Sequence, residues 1–292
     1  MPEMSARKSY SFKARHWVLE LGRRTAVMGI LNVTPDSFSD QGRYFTPEAA
    51  LERAWQIAEE GADILDIGGE STRPGSLGIG VEEELRRVIP ILEALAKGRK
   101  YPIPISVDTS KAEVAKAALE CGASIINDVT SLQKAPEIGT ETARFGAGLI
   151  LMHMRGEPAN MQTLAPSTDI LRDIDIWAQE AVARAQNSGV CSDKLVLDPG
   201  IGFGKTAAQN IEIIKNLDRL AAAGFPVLVG TSRKSFIGSI LKKPARELIL
   251  GTGVTVAASI IYGAHMVRVH DVSVIREVAD IADVIVNTGK SV

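Results

Sequence analysis

Residues 103–128 read IPISVDTSKAEVAKAALECGASIIND and contain one full unit of a repeating pattern. Ile103 to Val107 is a short run rich in Ile and Val. It ends in the polar cluster Asp108-Thr109-Ser110-Lys111. Lys111 to Cys121 has helical character, Gly122-Ala123 interrupts it, and Ser124 to Ile126 opens a second apolar run that ends in Asn127-Asp128. Short, continuous apolar runs bounded by Gly or Pro suit parallel strands buried on both faces. A glycine after a helix adopts with least strain the left-handed conformation that ends it. The stretch is therefore a strand, a polar tip, a helix and the next strand.

The same order recurs along the chain. The other strand candidates are Ala26 to Leu31, Ala62 to Ile67, Gly148 to Met152, Lys194 to Leu197, Val227 to Val229 and Met266 to Val269. Helices are predicted over Pro47 to Glu60, Val81 to Ala96, Pro136 to Phe145, Asp173 to Asn187, Ala207 to Ala222, Arg246 to Tyr262 and Val274 to Ala282. Thr46-Pro47 offers a hydroxyl cap and a proline at the first helical position. Glycines 61, 122, 146, 224 and 263 follow helices. Strict alternation argues for a parallel sheet, and eight rounds favour a closed α/β barrel of the (β/α)8 (TIM) type over an open doubly wound sheet. Tyr10 to Phe12 and Trp17 to Leu21 predict a short N-terminal hairpin closing the bottom of the barrel. The expected division is residues 1–25 as extension and hairpin and residues 26–292 as one barrel domain.

Composition narrows the function. The net charge is −2 and the basic residues are dispersed, which leaves no footprint for nucleic acid. No stretch has the roughly 18 apolar residues of a membrane span, and the start lacks an apolar signal core, so a soluble, cytoplasmic protein is expected. Two isolated cysteines, Cys121 and Cys191, are consistent with a reducing compartment.

In a barrel the carboxyl ends of all strands open on one face, so the chemistry is the sum of the tips. Asp108, Asn127, Asp198 and Lys234 close strands three, four, six and seven. A carboxylate pair with an amide and an ammonium suits a flat heterocycle that carries adjacent N–H donors and a carbonyl. The bland alternative is a polar layer satisfying itself at the mouth. Arg268 and His270, two apart on strand eight, share a face. With Arg73 and Asn32 they suit a phosphate, Asn32 offering an oxygen to a Mg²⁺ ion bound to it. The alternative for Arg268 is an ion pair with Asp271 or Glu277. Gly200-Ile-Gly-Phe-Gly-Lys205 lacks the spacing of a P-loop, and its glycines would let backbone approach a ligand. No HExxH pattern or Cys/His cluster suits zinc, and no serine stands in a nucleophile elbow. His153 reads as a barrel-end histidine, and Lys234 as a Schiff-base former is a minor alternative.

Taken together, NVTPDSFSD (32–40), DIGGESTRPG (66–75), IINDV (125–129), LMHMRG (151–156), LDPGIGFGK (197–205), TSRKSF (231–236) and RVHD (268–271) resemble the dihydropteroate synthase family of pterin-binding barrels. Two departures are Ser39-Asp40-Gln41-Gly42, where the family has Asp-Gly-Gly, and Thr130-Ser131-Leu132 in place of a Ser-Gly pair. The resemblance implies condensation of 6-hydroxymethyl-7,8-dihydropterin diphosphate with 4-aminobenzoate in folate biosynthesis, by a homodimer that sulfonamides inhibit. It implies that Asp108, Asn127, Asp198 and Lys234 hold the pterin under Met152 and Phe203. Asn32, Arg73, Arg268 and His270, with Mg²⁺, would hold the diphosphate. Thr72, Pro74, Phe38, Phe203, Lys234 and Ser235 would form the aminobenzoate pocket. Two other readings are a barrel that transfers a methyl group from methyltetrahydrofolate and a non-catalytic paralogue acting as a regulatory subunit.

Overall fold

Strand β3 (Ala26–Asn32) opens a set of eight parallel strands that continues with β4 (Ile64–Gly68), β5 (Ile105–Asp108), β6 (Ile125–Asp128), β7 (Gly148–Met152), β8 (Leu195–Asp198), β9 (Leu228–Val229) and β10 (Met266–Val269). This computed structural model describes residues 7–34, 46–71, 76, 78–97, 100–157, 160–161, 163–164 and 166–287. The ladder runs β8-β7-β6-β5-β4-β3-β10-β9, and a parallel bridge from Leu197 to Val227 closes it into the expected barrel. An antiparallel hairpin, β1 (Tyr10–Ala14) and β2 (Trp17–Leu21), precedes it.

The barrel interior is layered because alternate residues of a strand face the same side. Apart from the buried Ser106, its lower layer is apolar: Met28, Ile64, Ile125, Ile150, Val196, Leu228 and Met266 form one cluster with Phe12, Ala14 and Leu21 of the hairpin. Phe12 reaches in so closely that a Cβ on Gly148 would lie 2.5 Å from it. Counting two residues onward from Ile64, Ser106, Ile125, Val196 and Met266 gives Asp66, Asp108, Asn127, Asp198 and Arg268. The hairpin therefore plugs the bottom, and the second inward layer is the polar mouth. A larger apolar shell lies between the strands and the helices around them.

Helices α1 (Pro47–Glu59), α2 (Val81–Ala96), α3 (Ala112–Glu120), α4 (Glu137–Phe145) and α5 (Ile170–Asn187) fall within a few residues of their expected bounds. The Thr46 hydroxyl accepts from the Ala49 N–H, as the cap requires. All five helix-ending glycines have φ between 61° and 114°. The helix predicted over 207–222 is instead two, α6 (Ala207–Ile214) and α7 (Leu217–Ala221). Asn216 departs from helical backbone between them and its amide donates to the Glu212 carbonyl. A further short helix, α8 (Ser235–Leu241), follows the seventh tip, and α9 (Ile249–Ile261) and α10 (Val272–Asn287) complete the ring.

His265 fastens the bottom. It is fully buried; its Nδ1 accepts from the Val227 N–H at 3.2 Å, which leaves Nε2 to donate to the Lys8 carbonyl at 3.1 Å. Burial lowers its pKa to about 4. The unfolded chain therefore binds the extra proton first: this contribution is complete above pH 6.5 and is lost as pH falls toward 4, about 3 kcal/mol in all. Unfolding free energies measured across that window should show the slope in the native chain and lose most of it in His265→Gln.

Candidate active site

Asp66 and Arg268 form the centre of the mouth. Arg268, on β10, donates through Nε to Asp66 at 2.7 Å and through Nη2 to Asp108 at 2.8 Å. Asp66 is fully buried, and its second oxygen, Oδ1, has no hydrogen-bond partner among the described residues. Asn127 leans toward the same carboxylate at 3.5 Å. Burial pushes the Asp108 carboxyl up to about 7; the Arg268 charge opposes that, and the carboxylates of Asp66, Glu84 and Asp128 reinforce it. Burial works against the Arg268 charge, but Asp66 and Asp108 outweigh it and raise its pKa. Arg268 is thus held among the carboxylates, and Asp271, one of its two alternative partners, is taken by Arg233 at 2.7 Å.

Asp198 and Lys234 face this group. The Asp198 carboxyl is buried and lifted to about 6, although the Gly200 N–H donates to it at 2.7 Å and Lys234, Lys205 and Arg268 favour its charge. Lys234 is half-buried, its Nζ 3.9 Å from the Phe203 ring centroid, and its pKa is lowered to about 8 by burial and then by Arg268. Arg233, just before it, is held at φ 57°. That left-handed backbone is costly for a side chain, and the ion pair with Asp271 helps hold it in place. Phe203 and Met152 pack with Val129 and Met161 into a small apolar cluster at the mouth, the expected cover for a flat ring.

At β3, Asn32 pairs in register with Gly68, and a Cβ there would lie 3.6 Å from Asn32 Oδ1 and 3.7 Å from the Asp108 Cβ. The two side chains flank a gap that glycine leaves open. His270 lies beside Ser232: its Nδ1 is 3.0 Å from the serine Oγ, which also accepts from the His270 backbone N–H. Ser235 is exposed at the start of α8. Phe38, Thr72, Arg73 and Pro74 lie outside the described residues.

Two buried groups did not figure in the sequence expectations. The hint for Asp66 was a lone acid inside the apolar strand ILDIG, on the inward side by alternation. Lys205 has no such hint. It is buried, its ammonium donates to the carbonyls of His153, Gly200 and Phe203, and its pKa falls to about 7. It binds the tips of β7 and β8 together. The Thr130-Ser131-Leu132 departure also has an explanation. Ser131 and Leu132 both have positive φ, and the Asp128 carboxylate holds the turn by accepting from the N–H groups of Thr130 and Leu132.

These features define a (β/α)8 enzyme with a mixed carboxylate and cation site in the barrel mouth. A family profile for pterin-binding enzymes matches residues 28–270. The dihydropteroate synthase of a Synechocystis strain is 46% identical over 267 residues, spanning 91% of this chain and 92% of that protein. A Yersinia pestis dihydropteroate synthase solved with a sulfonamide drug superimposes with a TM-score of 0.88 at 41% identity, covering 94% of this chain and 98% of that one. A Xanthomonas albilineans dihydropteroate synthase solved with 4-aminobenzoic acid gives 0.87 at 39% identity, covering 95% and 98%. The chain belongs to the dihydropteroate synthase family of pterin-binding enzymes.

Proposed function

We propose that this transferase joins 6-hydroxymethyl-7,8-dihydropterin diphosphate to 4-aminobenzoate, forming 7,8-dihydropteroate and diphosphate for folate biosynthesis. The observation that carries the reading is the mouth itself, where Asp66, Asp108, Asn127, Asp198, Lys234 and Arg268 converge from six different tips beside an apolar cover. Asp108, Asn127 and Asp198 accept from and donate to the pterin edge, and Lys234 donates to its carbonyl. Met152 and Phe203 cover the ring. Arg268, His270 and Arg73 hold the diphosphate. Thr72, Pro74, Phe38, Phe203, Lys234 and Ser235 line the aminobenzoate pocket.

Mg²⁺ fits the residues present. No group of three His, Cys, Asp or Glu side chains among the described residues could cage a metal, and the Asn32 oxygen beside the Gly68 gap can supply one hard ligand. Mg²⁺ is commonly held by one or two protein oxygens with substrate phosphates and water. Bound there, it would neutralise charge on the leaving diphosphate.

No protein nucleophile is required. Electron release from the dihydropterin supports positive charge on the exocyclic methylene while its C–O bond breaks, and the electron pair departs with the diphosphate. The arylamine lone pair then forms the C–N bond and the nitrogen loses a proton. Arg268 and His270 stabilise the departing charge, and the first two loops exclude water, which would compete for the same electrophile.

We assign the protein to the cytoplasm as a homodimer. Both cysteines are free thiols, and no helix among the described residues is long and apolar enough to cross a membrane. Leu250 and Val254 on α9 and Ile281 and Val284 on α10 are 65–79% exposed on two helices packed together, an apolar face suited to a second copy.

Diphosphate release that requires both substrates is the direct test of the reaction, and release without 4-aminobenzoate would contradict it. Sulfonamides copy the size and anionic end of 4-aminobenzoate and should compete with it, binding well only after the pterin diphosphate and Mg²⁺. Inhibition that added 4-aminobenzoate does not relieve, or that is as strong without the diphosphate ligand, would count against the pocket and the order.

A further inference from the structure

Beside the mouth, Glu70, Lys111 and Glu84 form a cluster that the reaction as described does not use. The chain leaves β4 at Glu70, and the Glu70 carboxylate then accepts from the Ile79 N–H at 2.9 Å, so one side chain ties both ends of the segment between them. Its other oxygen takes the Lys111 ammonium at 2.5 Å, and Lys111 also reaches Glu84 at 2.5 Å. Glu84 is fully buried in the first turn of α2, and its Oε1 has no hydrogen-bond partner among the described residues. Arg87, one turn further along α2, holds the Gly69 carbonyl at 3.0 Å, and the Ser76 hydroxyl donates to the Ser71 carbonyl at 2.6 Å.

The placement of Lys111 is unfavourable by itself. It occupies the N-cap of α3, where the helix dipole disfavours a cation. Burial also disfavours its charge, but the two carboxylates outweigh this and raise its pKa. Lys111 belongs to the same tip as Asp108, three residues away. The cluster therefore fastens the tip of β4 to the tip that carries a pterin-binding carboxylate. Space is limited there as well: a Cβ on Gly69 would lie 2.8 Å from Val88, and one on Gly78 would lie 2.8 Å from Glu70 Oε1.

We propose that Glu70, Lys111 and Glu84 are positioning residues that fix both stems of the second loop on the β5 tip and so set the affinity for 4-aminobenzoate. The cluster has this role only if residues 72–74 serve the second substrate, as proposed above. It touches neither substrate; Glu70 sets where the loop leaves and returns, and Lys111 references that point to Asp108.

Lys111→Met would leave Glu84 buried without its cation, so the informative variants are Glu70→Gln and Gly78→Ala. Glu70→Gln keeps an acceptor for Ile79 and removes the ion pair. Its KM for 4-aminobenzoate should rise about tenfold, with affinity for a phosphate-free dihydropterin within about twofold of the native chain by calorimetry. Gly78→Ala, at an exposed position, displaces the Glu70 carboxylate and should raise the same KM about threefold. An unchanged KM in both variants, or an equal loss of dihydropterin affinity, overturns the proposal. Failure of the reaction itself would show separately, as a native chain that releases no diphosphate from the two substrates.

Discussion

Asp198→Asn lowers affinity for the dihydropterin by at least about tenfold while leaving the fold in place. The reason is local. The Gly200 N–H donates to Asp198 Oδ1 at 2.7 Å, and an asparagine oxygen can keep that bond. The asparagine amide then points its own N–H groups where the carboxylate offered an acceptor to the ring. Each buried donor left without an acceptor costs roughly 1–3 kcal/mol. Burial lifts the native carboxyl to about 6, so dihydropterin affinity should fall as pH drops through that value, and the variant should lose this limb and keep only the one that Asp108 contributes near 7. Calorimetric titration from pH 5 to 8 checks both statements. Normal binding by Asp198→Asn together with a large loss in Asp108→Asn would show that the two carboxylates have exchanged roles.

Arg268→Ala should be the more damaging change to the protein itself. Its guanidinium, whose side chain is 20% exposed, pairs with two buried carboxylates. Removing one partner of such a pair leaves uncompensated charge and costs about 3–5 kcal/mol. Asp108 then loses the cation that opposes its burial, so its carboxyl should take up a proton at higher pH than the native value of about 7, and the variant should be least stable above that pH, where the carboxyl must ionise. Binding should separate by ligand. Diphosphate with Mg²⁺ loses a direct cation, whereas a phosphate-free dihydropterin keeps Asp198, Asn127 and Lys234. Thermal unfolding against pH and calorimetry with each ligand are the measurements, and equal losses for both ligands would remove Arg268 from the diphosphate.

Much of this site could be read from the strand tips. Asp108, Asn127, Asp198, Lys234 and Arg268 each end or follow an apolar run, and a barrel brings such ends together. Asp66 was harder to read. It lies two residues below the tip glycines within ILDIG, where an acid among apolar residues has no local partner to reveal its purpose. Lys205 was hidden because its three acceptors are backbone carbonyls, which every residue has. The break between α6 and α7 was missed because the apolar spacing of 207–222 continues through Asn216, whose side-chain amide takes the Glu212 carbonyl as its backbone leaves the helix.

The sequence by itself determined the alternation of strand and helix, the parallel sheet, the capped and glycine-terminated helices and the set of polar tips. These follow from interactions within a few residues: the two-residue period of a strand, a hydroxyl cap, the left-handed freedom of glycine. Only the tertiary structure decided the pairings. Arg268 meets Asp66 across 202 residues rather than its neighbour Asp271, and Lys111 meets both Glu70 and Glu84 rather than solvent. Those choices depend on the order in which the barrel sets its strands side by side and on the hairpin that fills its base. Together they lift the second inward layer to the mouth and bury it, and there an ion cannot remain without a partner.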